Sequence, residues 1–128
     1  MIIDSSALVA IFLREKEADV LVSAIVTADV AGIGSPTAVE TGLVLTARLQ
    51  RNATGMLLRF FRETGIEIVP FTELHWQRAI DAYARFGKGR HPAALNFGDC
   101  MTYATAALAR QPLLCVGDDF RRTDLALV

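Results

Sequence analysis

Leu95-Asn96-Phe97-Gly98-Asp99-Cys100 stands where a glycine-rich basic loop gives way to an alanine-rich segment. Asn96 is a good N-cap and Asp99 follows it by three residues, so a helix opens here and runs over residues 97–110. Gln111-Pro112 breaks it. Working outward, Leu113-Leu114-Cys115-Val116 reads as a strand that ends at Gly117-Asp118-Asp119. On the other side, Gly87-Lys88-Gly89-Arg90-His91-Pro92 is a loop on turn chemistry alone. The tail 125–128 suits a short edge strand.

The same alternation fills the rest of the chain. Met1-Ile2-Ile3 is a buried strand ending at Asp4, with Ser5 or Ser6 placed to cap a helix over 7–13. Residues 18–28 form a second helix and Ala31-Gly32-Ile33-Gly34 a second strand. Ser35-Pro36-Thr37 starts a helix reaching about Gln50, because proline is tolerated in a first turn. Another helix over 52–64 stops at Gly65, and Ile66-Glu67-Ile68-Val69 is the third strand. A helix over 73–86 offers Leu74, Ala79, Ile80, Tyr83 and Ala84 to a core. Strands alternating with helices imply an α/β fold with a parallel sheet, right-handed crossovers and helices on both faces.

The 128 residues suit a single domain, 1–128, and 52% hydrophobic with 21% charged residues is globular composition. A net charge of −1 rules out a general polycation, so any nucleic-acid partner needs a local basic patch. Cys100 and Cys115 have no metal-ligand spacing and read as buried thiols of a reducing compartment. The apolar start is interrupted by Asp4 and lacks a basic leader and a cleavage site, and no apolar run reaches membrane-spanning length. The expected location is cytoplasmic, with no membrane partner.

Five acids mark the junctions where strands meet helices: Asp4, Glu40, Asp99 and the Asp118-Asp119 pair. Ligands of open parallel sheets bind beyond the carboxyl ends of the strands. Carboxylates gathered there repel one another unless a cation neutralises them or some stay protonated. Oxygen-rich sites suit Mg²⁺ or Mn²⁺, and such ions serve phosphodiester hydrolysis. Each acid also has a local explanation. Asp4 can cap the first helix, Thr37-Ala38-Val39-Glu40 has the capping-box pattern, and Asp118-Asp119 is ordinary turn composition.

The chain resembles PIN-domain ribonucleases, and among them the VapC-type toxins of type II toxin–antitoxin pairs. The resemblance spans nearly the whole chain. It rests on Met1-Ile2-Ile3-Asp4-Ser5-Ser6-Ala7-Leu8, the Glu40 helix, the 87–93 loop, Leu95-Asn96-Phe97-Gly98-Asp99-Cys100, and Leu113-Leu114 running to Gly117-Asp118-Asp119-Phe120 with Thr123-Asp124. It implies a three-layer α/β/α PIN-like fold with a parallel sheet of strand order 3-2-1-4-5. It further implies an endoribonuclease dependent on Mg²⁺ or Mn²⁺, in which metal-activated water hydrolyses RNA to 5′-phosphate and 3′-hydroxyl ends. Asp4 and Asp99 match the acids that ligate metal directly. Glu40 matches one acting through water or on the attacking water. Asp118 and Asp119 both align with the fourth acid, Asp119 slightly better. Ser6 matches a supporting hydroxyl.

Lys88, Arg90, His91, Arg121 and Arg122 are the candidate RNA contacts, while His75 beside Trp76 reads as a surface or packing residue. The resemblance also implies a homodimer and a VapB-type antitoxin, with any DNA contact made through the antitoxin. The apolar helices over 7–13 and 38–49 offer surface for such partners. The implied RNA is a tRNA or a ribosomal RNA loop. The alternatives from other classes are a catalytically silent PIN-fold interaction module and a structure-specific DNA nuclease.

Overall fold

The computed structural model describes residues 1–128. Its order is β1 (Ile2–Ile3), α1 (Ser5–Phe12), α2 (Ala18–Thr27), β2 (Ala31–Gly34), α3 (Ser35–Leu49), α4 (Thr54–Thr64), β3 (Ile66–Val69), α5 (Glu73–Phe86), α6 (Phe97–Ala109) and β4 (Leu113–Leu114), followed by a 3₁₀ turn, Asp119–Arg122. The strands are parallel and lie in the order β3-β2-β1-β4. A single parallel bridge, Leu113 to Leu127, lies beyond the β4 ladder. Leu113 N–H donates to Ala126 O at 2.9 Å and Val128 N–H to Leu113 O at 3.0 Å. The fifth strand expected from the tail is thus reduced to one rung, and the fold is otherwise the expected one.

Strand alternation divides the interior into two cores. Ile3, Ile33 and Leu114 point to one face, where they meet Leu8, Leu21, Leu45, Leu57 and Phe61. Ile2 and Leu113 point to the other, against Phe86, Leu95, Tyr103, Ala106 and Phe120. The result is a sheet between two helical layers. At Gly34 a Cβ would stand 2.6 Å from Thr105 Oγ1, so glycine lets α6 press directly on β2.

Several boundaries differ from the sequence reading, each for a local reason. Of the caps the sequence offered for α1, Asp4 rather than Ser5 or Ser6 is the one used, its side chain accepting from Ser6 N–H at 3.1 Å. β4 has two paired residues rather than four, because its neighbour β1 has already turned into α1. Val116 N–H donates instead to Ser6 Oγ at 2.9 Å. On α5 the buried residues are Ala82 and Phe86, whereas Leu74, Ile80 and Tyr83 are exposed. Of the apolar residues assigned to a core there, Ala79 packs against it, while Leu74, Ile80, Tyr83 and Ala84 face outward. His75 closes the α5 capping box with Thr72, so its role is local. At the far edge of the sheet, β3 pairs only with β2, with Glu67 and Ile68 exposed and Pro70 directly after.

The tail is held by a small polar network. Tyr103 O–H donates to Asp124 Oδ1 at 2.6 Å, and Arg85 reaches Asp124 Oδ2 at 2.9 Å and Tyr103 Oη at 3.2 Å. Asp124 is held below the usual carboxylate range, chiefly by the tyrosine bond. Tyr103→Phe keeps the packed ring and removes this bond. It is expected to cost about 1–2 kcal/mol in denaturant unfolding, the range for a bond to a partly solvated charged group. An unchanged midpoint would show that the tyrosine hydroxyl does not hold the tail, leaving packing and the Arg85–Asp124 pair.

Candidate active site

The first site acid follows directly from the fold. β1 ends at Ile3, and Asp4 is the next residue, almost wholly buried. Its Oδ2 accepts from Ser6 Oγ–H at 2.6 Å as well as from Ser6 N–H. Its Oδ1 accepts from Thr102 Oγ1–H at 3.0 Å. The Thr102 hydroxyl in turn meets that of Thr37 at 2.9 Å. Asp4 is therefore tied to α1, α6 and α3, and through Ser6 to the strand end at Val116.

Asp99 occupies the third position of α6 and has two jobs. Asn96 N–H donates to its Oδ2 at 3.0 Å, and Asn96 Oδ1 accepts from Asp99 N–H at 2.9 Å, closing a capping box. The carboxylate still lies within the field of the other acids. Burial first, then the charges of Asp4, Asp119 and Glu40, push its pKa from 3.8 to about 6, against the pull of the Asn96 bond.

Glu40 is not a helix cap. α3 begins at Ser35 with Gly34 as its N-cap, which places Glu40 in the second turn. The Thr37-to-Glu40 capping box that the sequence pattern allowed does not form, because the N-cap is Gly34, three residues too early for it. Glu40 Oε1 instead accepts from Ser5 Oγ–H at 2.6 Å. The carboxylate lies over Gly98, where any Cβ would collide with it. The glycine before Asp99 thus leaves the room in which two acids from different helices approach.

The Asp118-Asp119 pair separates. Asp119 acts electrostatically on Asp99, whereas Asp118 is 84% exposed in its side chain and pairs with Arg121 at 3.0 Å. The structure therefore groups Asp4, Glu40, Asp99 and Asp119 and leaves Asp118 outside. The molecule's ion pairs all involve other acids, so no lysine or arginine neutralises these four. The nearby thiols share the field. Cys115 is pushed up to about 11 by burial and then by Asp4, and Cys100 is raised by burial and Asp99. Neither is a thiolate nucleophile at neutral pH.

The basic candidates are less assembled. Arg121 reaches the acids' neighbourhood, since its charge acts on Cys115, and Arg122 is exposed. Arg90 lies 5.4 Å from the Tyr83 ring centre. His91 packs edge-on against Phe86, and its Nδ1 accepts from Ala93 N–H at 3.0 Å. Lys88 is exposed, and no hydrogen bond or ion pair joins Lys88, Arg90 or His91 to the acids. The sequence reading missed Ser5, Thr37 and Thr102. Thr102 carried one signal: it stands three residues after Asp99, on the same helix face.

The four acids offer oxygen alone, which suits a hard divalent cation. No three histidine, cysteine, aspartate or glutamate side chains lie so that they could hold one metal ion together. At most two of the acids could therefore bind one ion directly, a number that a Mg²⁺ site commonly uses, with water and substrate phosphate completing the shell.

The PIN domain sequence profile matches residues 1–125. Ribonuclease VapC36 of Mycobacterium tuberculosis is 47% identical over 126 residues, spanning 98% of this chain and 91% of that protein. Ribonuclease VapC of Mycolicibacterium smegmatis is 38% identical over 128 residues, spanning 100% and 99%. Among solved structures, M. tuberculosis VapC20, described as a sarcin-ricin loop cleaving toxin, aligns with a TM-score of 0.80 at 15% identity, over 99% of this chain and 97% of that one. A toxin–antitoxin complex from Klebsiella pneumoniae aligns at 0.74 and 20% identity, over 99% and 95%. At those identities the two structures bear on the fold alone.

The crowding at Asp99 has a pH signature. An acid whose pKa rises on folding costs stability once it must ionise, so without metal the cost grows from about pH 4 to about pH 6. Thermal midpoints of native protein and Asp99→Asn, measured in EDTA, are expected to be close near pH 4 and to separate above pH 6, the variant melting higher. Parallel midpoints throughout would show that Asp99 is not crowded.

Proposed function

This chain belongs to the PIN-domain family, and from that premise we propose that it is a VapC-type endoribonuclease toxin dependent on Mg²⁺ or Mn²⁺. The observation that carries the reading is the cluster of Asp4, Glu40, Asp99 and Asp119, none of them in an ion pair with a lysine or arginine, with Asp99 pushed to about 6.

Asp4 and Asp99 would hold the ion. When bound, it would supply a Lewis acid that neutralises charge on the scissile phosphate and makes water a competent nucleophile at neutral pH. Glu40, held by Ser5, is placed to orient the attacking water and take its proton. Asp119, on the exposed turn, completes the negative field that draws the cation in. Attack of water on phosphorus with departure of the 3′ oxygen leaves a 5′ phosphate and a 3′ hydroxyl. Neither histidine is needed: His75 and His91 are both engaged in local bonds.

The proposed substrate is structured RNA, a tRNA or a ribosomal RNA loop, with Arg121, whose charge reaches Cys115, and the exposed Arg122 as proposed phosphate contacts. The proposed location is the cytoplasm, and the proposed regulator is a VapB-type antitoxin through which any DNA contact is made. A homodimer is supported by the surface. Leu43, Ile80 and Phe97 are 67%, 62% and 82% exposed, and two apolar grooves meet at Phe97 and Met101. Monomers seldom leave so continuous an apolar face in water.

With Mg²⁺, native protein is expected to cleave RNA and spare DNA, and EDTA to stop it. Asp99→Asn and Asp119→Asn are expected to lose at least ~100-fold in rate, a large catalytic defect of about 2.7 kcal/mol in the barrier. Asp118→Asn is expected to stay near native. Metal-independent cleavage, or a severe loss in Asp118→Asn alone, would count against this assignment. For the assembly, light scattering is expected to give a dimer for native protein and a monomer for Ile80→Glu. A native monomer at tens of micromolar would remove the dimer from the proposal.

A further inference from the structure

Thr102 spends its hydroxyl in an unusual way. Thr27, Thr41, Thr64 and Thr105, also helical, each donate to the carbonyl four residues back, at 2.7–3.0 Å. That local bond is the default for a threonine inside a helix. Thr102, fully buried in α6, instead donates across the interior to Asp4 Oδ1 at 3.0 Å.

The direction of the bonds is fixed by chemistry. An ionised carboxylate only accepts, and a hydroxyl has one proton to give. Thr102 gives its proton to Asp4, so in the 2.9 Å contact with Thr37 it must be the acceptor and Thr37 the donor. Two buried hydroxyls from different helices therefore point in series at one carboxylate oxygen. The two Asp4 oxygens are unequally occupied. Oδ2 takes both Ser6 donors, while Oδ1 takes Thr102 alone. With about two lone pairs on each oxygen, the spare acceptor capacity of Asp4 lies on Oδ1.

We propose that Thr102, oriented by Thr37, is a positioning residue of the metal site: it fixes Asp4 Oδ1, the oxygen with acceptor capacity to spare for the ion. The inference rests on the metal-dependent reading above and extends it to a side chain that need not touch metal or substrate. Groups that hold a ligand from behind commonly set metal affinity by ~10–100-fold.

The test is direct Mn²⁺ binding, read from the electron paramagnetic resonance signal of the free ion, with thermal unfolding in EDTA as the structural control. Thr102→Val keeps the shape and removes the hydroxyl. Thr102→Ala removes it without pressing a methyl on the carboxylate, and so guards against a folding failure. Thr102→Ser retains the donor. Both hydroxyl-free variants are expected to bind Mn²⁺ ~10–100-fold more weakly while unfolding cooperatively, and Thr102→Ser to bind close to native. Native-like binding in Thr102→Val and Thr102→Ala, or a loss in Thr102→Ser as large as theirs, would overturn the role of Thr102. Native protein that takes up no Mn²⁺ at millimolar levels would instead overturn the metal-dependent reading on which it stands.

Discussion

The interaction on which most of this molecule depends is the set of hydrogen bonds converging on the Asp4 carboxylate. The residue ends the central strand, caps the first helix and is buried almost completely. A buried carboxylate is costly unless donors surround it. Here the donors come from Ser6 and Thr102, and so the requirement of one side chain fixes α6 against the strand ends. Ser6 carries the constraint further by accepting from Val116, which ties the end of β4 to the same point. The sheet, the first helix and the helix bearing Asp99 are held in register by neutral hydroxyls, without a salt bridge.

That choice of donors matters for chemistry. Arginine or lysine would stabilise the buried acid more strongly, but would also fill the negative field that a cation must see. Hydroxyls and backbone amides hold the carboxylates in place and leave their charge largely intact. The elevated Asp99 pKa comes from burial first, and the charges of Asp4, Asp119 and Glu40 add to it. The nearest ion pair, between Arg121 and Asp118, stands at the exposed rim and does not quench it.

Much of this was legible in the sequence because the signals were local. Ile2-Ile3-Asp4 reads as a strand end even though only two residues pair, since an acid followed by two serines fits no strand interior. Asn96 to Asp99 declared a helix start, and α6 begins there with the capping box closed. For Glu40 the local alternative was ambiguous, because Thr37-x-x-Glu40 satisfies a capping pattern, whereas the extended backbone of Gly34 caps the helix instead. The choice between Asp118 and Asp119 depends on how a short 3₁₀ turn is phased, which neighbouring aspartates do not encode. Thr102 was invisible for another reason. A buried threonine in an alanine-rich helix looks like filler until a partner 98 positions away is known.

The two margins of the sheet are guarded unequally, and this limits how the protein can self-associate. One margin is covered by the Leu127 rung of the tail. The other, β3, is bare, yet it is four residues long, displays Glu67 and runs into Pro70. A strand so short, charged and promptly terminated is a poor template for adding another chain edge to edge. Growth into fibres by β-pairing is thereby discouraged, and contact between copies is steered to the helical layers, where side-chain shape rather than backbone pairing decides which surfaces join.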